Sequence, residues 1–60
     1  METDFAYFNR RAEEEREAAM RAPHPAARRS HVEMAGRYRE LADAIQAHQS
    51  AVGREPVRAL

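Results

Sequence analysis

Arg21-Ala22-Pro23-His24-Pro25-Ala26-Ala27-Arg28 decides the architecture. A proline ring pushes the residue before it out of the α region, so Ala22 and His24 read as turn positions. Pro25 suits the first turn of a helix, where its missing N–H costs nothing. Upstream, no Gly or Pro interrupts Asp4 to Ala22, and Ala, Glu and Arg dominate; these are strong helix formers. Thr3 can cap that run through its side-chain oxygen, and Asp4 suits the positive end of the helix dipole. Downstream, a second helical run extends from Pro25 to about Ser50, broken only by Gly36. Gly53 is a C-terminal stop. The expected organisation is one hairpin unit over residues 1–53: a helix over about 4–22, a turn at 23–25 and a helix over about 25–50. A flexible tail is expected over 54–60, where Pro56 falls.

Spacing predicts how the two helices face each other. Phe5, Phe8, Ala12, Glu15, Ala19 and Ala22 alternate steps of three and four, the pattern of one helical stripe. The same alternation runs through His24, Ala27, His31, Met34, Tyr38, Leu41, Ile45 and His48. Folding the chain at the turn sets Ala19 against Ala27, Glu15 against His31, and Ala12 against Met34. Farther out, Phe8 meets Tyr38, Phe5 meets Leu41, and Met1 reaches Ile45. Each layer joins like with like, and this agreement between local and global signals supports an all-α antiparallel two-helix hairpin. The predicted core and interface set is Phe5, Phe8, Ala12, Ala19, Ala27, Met34, Tyr38, Leu41 and Ile45.

A chain of 60 residues forms one small domain that buries only roughly 60% of its unfolded surface. Val32, Ala35 and Ala42 flank the second stripe, and Tyr7 and Ala18 flank the first. Two hairpins stacked face to face would cover them as a four-helix bundle. A two-fold homodimer is the expected assembly, with another helical protein as the alternative partner. Glu17–Arg21 and Glu33–Arg37, at i,i+4, read as solvated outer-face pairs.

Ten basic residues, all arginine, balance ten acidic ones. A net charge of zero disfavours a general nucleic-acid or membrane-surface binder. No apolar run is long enough to span a bilayer, and the acidic Met1-Glu2-Thr3-Asp4 start does not resemble a secretion signal. The absence of cysteine removes disulfides and thiolate metal sites and fits a reducing compartment. The expectation is a cytoplasmic protein without membrane partners.

The one polar layer in the stripe, Glu15 with His31, is the main candidate site. Its plainest role is a mutually satisfied pair that sets register; pairing draws the Glu15 carboxyl below its ordinary range. The sharper role is metal binding, with Glu15 and His31 from two chains converging in a bundle. The Glu-x-x-His motif of di-iron bundles is missing, and Glu33 falls on another face. The expectation is therefore no cofactor, with Glu15 and His31 as the metal-ligand candidates. His24 and His48 read as turn and helix-end residues. Ser30 and His31 are helix neighbours pointing to different faces, so they form no dyad. A short hairpin is expected to offer no concave pocket of useful size, and no enzymatic activity is expected. Nucleic-acid binding is the alternative function, with Arg21, Arg28 and Arg29 around the turn as contacts and Arg10, Arg11, Arg37 and Arg39 along the shafts. Interleaved acids and aromatics committed to the core make it the less favoured reading.

Tyr7-Phe8-Asn9-Arg10-Arg11-Ala12-Glu13, the Pro23-His24-Pro25-Ala26-Ala27-Arg28 turn, and His31 with Met34-Ala35 and Tyr38 resemble a group of small bacterial helical-hairpin proteins of alphaproteobacterial type. The resemblance covers about residues 5 to 45. It implies a helical hairpin and brings no activity with it. Gly36 departs from the helix former such a run leads one to expect.

Overall fold

The computed structural model describes residues 1–53. Two helices, α1 (Asp4–Arg21) and α2 (Pro25–Gly53), pack antiparallel as an all-α hairpin. The expected tail, residues 54–60, lies outside the described residues.

Local chemistry sets each helix end. Thr3 is extended (φ −75°, ψ 163°), and its Oγ1 accepts the Ala6 N–H at 3.1 Å. Its carbonyl accepts the Tyr7 N–H at 2.8 Å, closing the first turn. At the other end Ala22 leaves the helix (φ −70°, ψ 125°) because Pro23 follows it; α1 therefore ends at Arg21, one residue before the expected Ala22. The His24 carbonyl accepts the Arg28 N–H at 2.9 Å and starts α2. The Arg28 guanidinium donates to the Ala22 carbonyl at 3.2 Å, satisfying an acceptor that the broken helix leaves over. No described residue has positive φ, so the chain reverses between Ala22 and Pro25 without a left-handed residue. α2 continues past the expected Ser50 to Gly53.

Burial shows where the helices touch. On α1, Ala12, Glu15 and Ala19 are buried, with Phe5 and Phe8 half-buried. On α2 the inner stripe is Ala27, His31, Ala35, Tyr38, Ala42 and Ile45, with Ala42 at 0% exposure. Two predicted core residues are thus displaced. Met34 is 40% exposed and Leu41 46%, and the adjacent Ala35 and Ala42 take the inner positions. Met34-Ala35 and Leu41-Ala42 each offer one large and one small apolar residue. With Ala12 and Ala19 on the opposing helix, closest approach selects the small member, and the large one moves to the flank. Met1, expected to reach Ile45, is fully exposed.

The hairpin is one helix layer thick, about 10 Å between Cα atoms along its shortest axis. Its buried apolar core among the described residues is four alanines, and no large side chain there is fully buried. Two stability changes are expected from this packing. Ala42→Leu forces extra methylenes into the tightest point and should cost about 1–3 kcal/mol. A Cβ added at Gly36 meets nothing within 4 Å, so Gly36→Ala should gain about 1 kcal/mol in the single hairpin through helix propensity. Thermal unfolding followed by circular dichroism at high dilution checks both.

Candidate functional site

The polar layer forms at the expected level. His31 Nδ1 lies 2.6 Å from Glu15 Oε1, and Arg11 Nη2 donates to Glu15 Oε2 at 2.9 Å. Glu15 is 7% exposed and has each carboxylate oxygen engaged. The His31 hydrogen bond chiefly, aided by the charges of His31 and Arg11, holds its carboxyl below the ordinary value near 4.5, against opposing desolvation.

Arg11 organises more than this layer. It also pairs with Glu14, and its guanidinium carbon sits 5.0 Å from the centre of the Tyr38 ring, a cation–π geometry. Its pKa is raised, first by Glu14 and then by Tyr38. Tyr38 stacks on Phe8 with ring centres 6.1 Å apart and planes 25° apart, and Tyr7 meets Phe8 edge-on at 5.3 Å. Arg10 lies over Tyr7 at 5.3 Å. It donates to both oxygens of Glu2 at 2.9 and 3.0 Å and to Glu14 at 2.9 Å; its bonds lower the Glu2 pKa, and Arg11 first and Arg10 second lower that of Glu14. One ionic chain therefore runs Glu2, Arg10, Glu14, Arg11, Glu15, His31, roofing the aromatic cluster on one side of the hairpin.

Sequence reasoning assigned Arg10 and Arg11 to the shafts and missed this role. The signal was their three- and four-residue spacing to Glu14 and Glu15. Of the outer-face pairs, Glu17 and Arg21 stand at 4.0 Å, the limit of an ion pair. Glu33 and Arg37 make no ion pair among the described residues; Arg39 with Asp43 at 3.4 Å and Arg16 with Glu13 at 3.1 Å form instead.

The metal candidates Glu15 and His31 are brought together through Oε1, and Arg11 places a cation on the other carboxylate oxygen, Oε2. Among the described residues no three His, Cys, Asp or Glu side chains cluster in a metal-holding arrangement. His24 and His48 are both exposed and distant from that layer in the chain. Of the turn arginines, Arg28 is engaged with Ala22, and Arg21, Arg28 and Arg29 are all exposed.

The opposite side of the hairpin is an open, mostly apolar groove. Ala12, Ala19 and Met20 line it from α1, and Val32, Ala35 and Gly36 from α2; Asn9, Glu13, Arg16, Arg28 and Arg39 form the rest of its lining. Met20 is 80% exposed and Val32 55%. Among the described residues no helix is long and apolar enough to cross a membrane.

No family model matches this chain, and none of the curated proteins or solved structures compared with it matches. Its chemistry is legible only from its own side chains.

The Glu15 carboxyl gives a pH dependence of defined sign. A carboxyl whose folded-state pKa lies below its unfolded value adds stability that is fully present above the unfolded value, near 4.5. That stability is lost as pH falls through the lower, folded value. Glu2 and Glu14 shift the same way. The melting temperature should therefore decline on acidification below about pH 4.5. Glu15→Gln should lower it at neutral pH and make the acid decline shallower, as a pH series of melting curves on both proteins can show.

Proposed function

We propose that this chain is a non-enzymatic interaction module that pairs with itself through its apolar helix faces, giving a homodimeric four-helix bundle. One observation carries the reading: among the described residues the buried apolar side chains are alanines, whereas Met20 and Val32 are largely exposed on one side of the hairpin. Alanine burial removes little apolar surface, and hydrophobic stabilisation scales with that area. A single helical layer has no second layer to complete a core, and a partner of the same kind supplies one. The lack of cysteine among all 60 residues supports a place in the reducing cytoplasm.

Nucleic-acid binding at the turn is a second reading with one feature in its favour. From Ala18 to Val32 the chain carries Arg21, Arg28 and Arg29 and no acidic residue. Against it, the four aromatic residues are Phe5, Tyr7, Phe8 and Tyr38, all toward the open end of the hairpin. The turn therefore offers bases no Phe or Tyr to stack on, and His24 is its one imidazole.

Sedimentation equilibrium from micromolar to millimolar concentration separates these readings. Self-pairing predicts a species of twice 6.9 kDa that dissociates on dilution, together with no mobility shift of RNA or DNA at low salt. A mass of 6.9 kDa at every concentration defeats self-association and points to another helical protein as partner. A mobility shift that weakens steeply with salt favours the turn arginines instead.

A further inference from the structure

Self-association by itself leaves open which face pairs and in which direction. Resting on that reading and narrowing it, we propose that the second copy docks on the groove of Ala12, Ala19, Met20, Val32, Ala35 and Gly36. The two hairpins run in opposite directions, so that each turn lies over the other's open end.

The choice of face is set by the groups that already cover each side. On the aromatic side, Arg10 lies over Tyr7 and Arg11 over Tyr38, and the ionic chain from Glu2 to His31 closes over them. Docking there would displace charged groups from their partners and desolvate them, an expensive step. The groove has no such roof. Its two large apolar residues, Met20 and Val32, are also more exposed than Met34 and Leu41 on the other flank. Gly36 leaves open space where other residues carry a Cβ, which lets a second helix come close.

The direction is set by charge. The stretch from Ala18 to Val32 around the turn carries three arginines and no acid, whereas Glu2 to Glu15 carries five acids against Arg10 and Arg11; Glu2, Glu14 and Glu15 of these are paired on the aromatic side and act on the partner only through the overall charge of that end. Turns placed at the same end would superimpose the positive tips. That arrangement also lays α1 on the partner's α2. Glu15 lies opposite His31, so Arg28 then stands nearly level with Arg16, whose own partner is Glu13 at 3.1 Å. Turns at opposite ends instead lay α2 antiparallel on α2 about a two-fold axis near Ala35 and Gly36. Arg28 lies seven residues before Ala35 and Asp43 eight after it, roughly 11 and 12 Å along the helix. Arg28 of each chain is then level with Asp43 of the other, whose carboxylate already holds Arg39 of its own helix at 3.4 Å and would bridge the two guanidinium groups, giving two symmetry-related contacts. Glu13, near the same axis on α1, is already neutralised by Arg16 at 3.1 Å.

A charge exchange tests face and direction together, with mass from sedimentation equilibrium and helicity from circular dichroism on each full-length variant. Arg28→Glu and Asp43→Arg should each weaken the dimer roughly tenfold, two modest pairs being lost at once. The double variant should recover most of that loss. Val32→Glu should give a helical monomer, and Met34→Glu should leave the dimer intact. Because Arg28 also braces the turn, a nitroxide label at His24→Cys provides a second measurement in this otherwise cysteine-free chain. Opposed turns predict a label separation of roughly 35 Å; a separation under about 20 Å overturns the proposed direction. A dimer broken by Met34→Glu but not Val32→Glu, or a double variant no tighter than the singles, overturns the proposed face and pairing while leaving self-association standing. A wild-type monomer at all concentrations overturns self-association itself.

Discussion

Two helices come close only where both present little side chain, and in this hairpin that condition is met by alanine. Ala12 and Ala19 on α1 and Ala35 and Ala42 on α2 are all buried. Their small size brings the backbones near each other and leaves no inner space for a methionine or leucine. Dense packing without voids makes this all-or-none: a large residue at closest approach either separates the helices or turns outward. Met34 and Leu41 turn outward. The tight seam and the exposed apolar flanks are thus one consequence of the same geometry, and the hairpin's own core stays small because its seam is tight.

An alanine seam specifies closeness but says little about register, since one alanine layer resembles the next. The Glu15–His31 layer supplies that missing information. A half-turn slip of one helix would leave the Glu15 carboxylate facing apolar atoms with one oxygen unpaired, a costly arrangement for a buried charge. The Phe8–Tyr38 stack, two turns away, rewards the same alignment. Arg11 couples the two, since it touches both Glu15 and the Tyr38 ring. Register therefore rests on a connected set of side chains from both helices, and the N-terminal Glu2 joins it through Arg10.

Much of this was readable from residue spacing alone, and the reason differs from case to case. The turn was legible because proline acts through its own ring and its neighbour, with no need of tertiary context. The Thr3 cap was legible for the same local reason. Glu15 opposite His31 and Phe8 opposite Tyr38 emerged from counting outward from the turn, which works when the connection is short and the helices are straight. The rotation of α2 was not legible. Met34-Ala35 and Leu41-Ala42 fit a three–four alternation equally well, and only the size of the residues on the facing helix decides between them. Arg10 and Arg11 were hidden for another reason: an arginine on a helix shaft has several acids within reach, and the sequence does not say which side chain it covers.

The two sides of the hairpin then differ in kind. One carries aromatic rings roofed by guanidinium groups whose hydrogen bonds are already satisfied, so it gains little from a partner. The other carries Met20, Val32 and a glycine whose neighbourhood is open, so it gains apolar burial from one. An isolated helix interior disfavours glycine by about 1 kcal/mol relative to alanine, and nothing within the hairpin repays that cost at Gly36. Close approach by another helix is the physical circumstance in which a missing Cβ becomes an advantage rather than a loss.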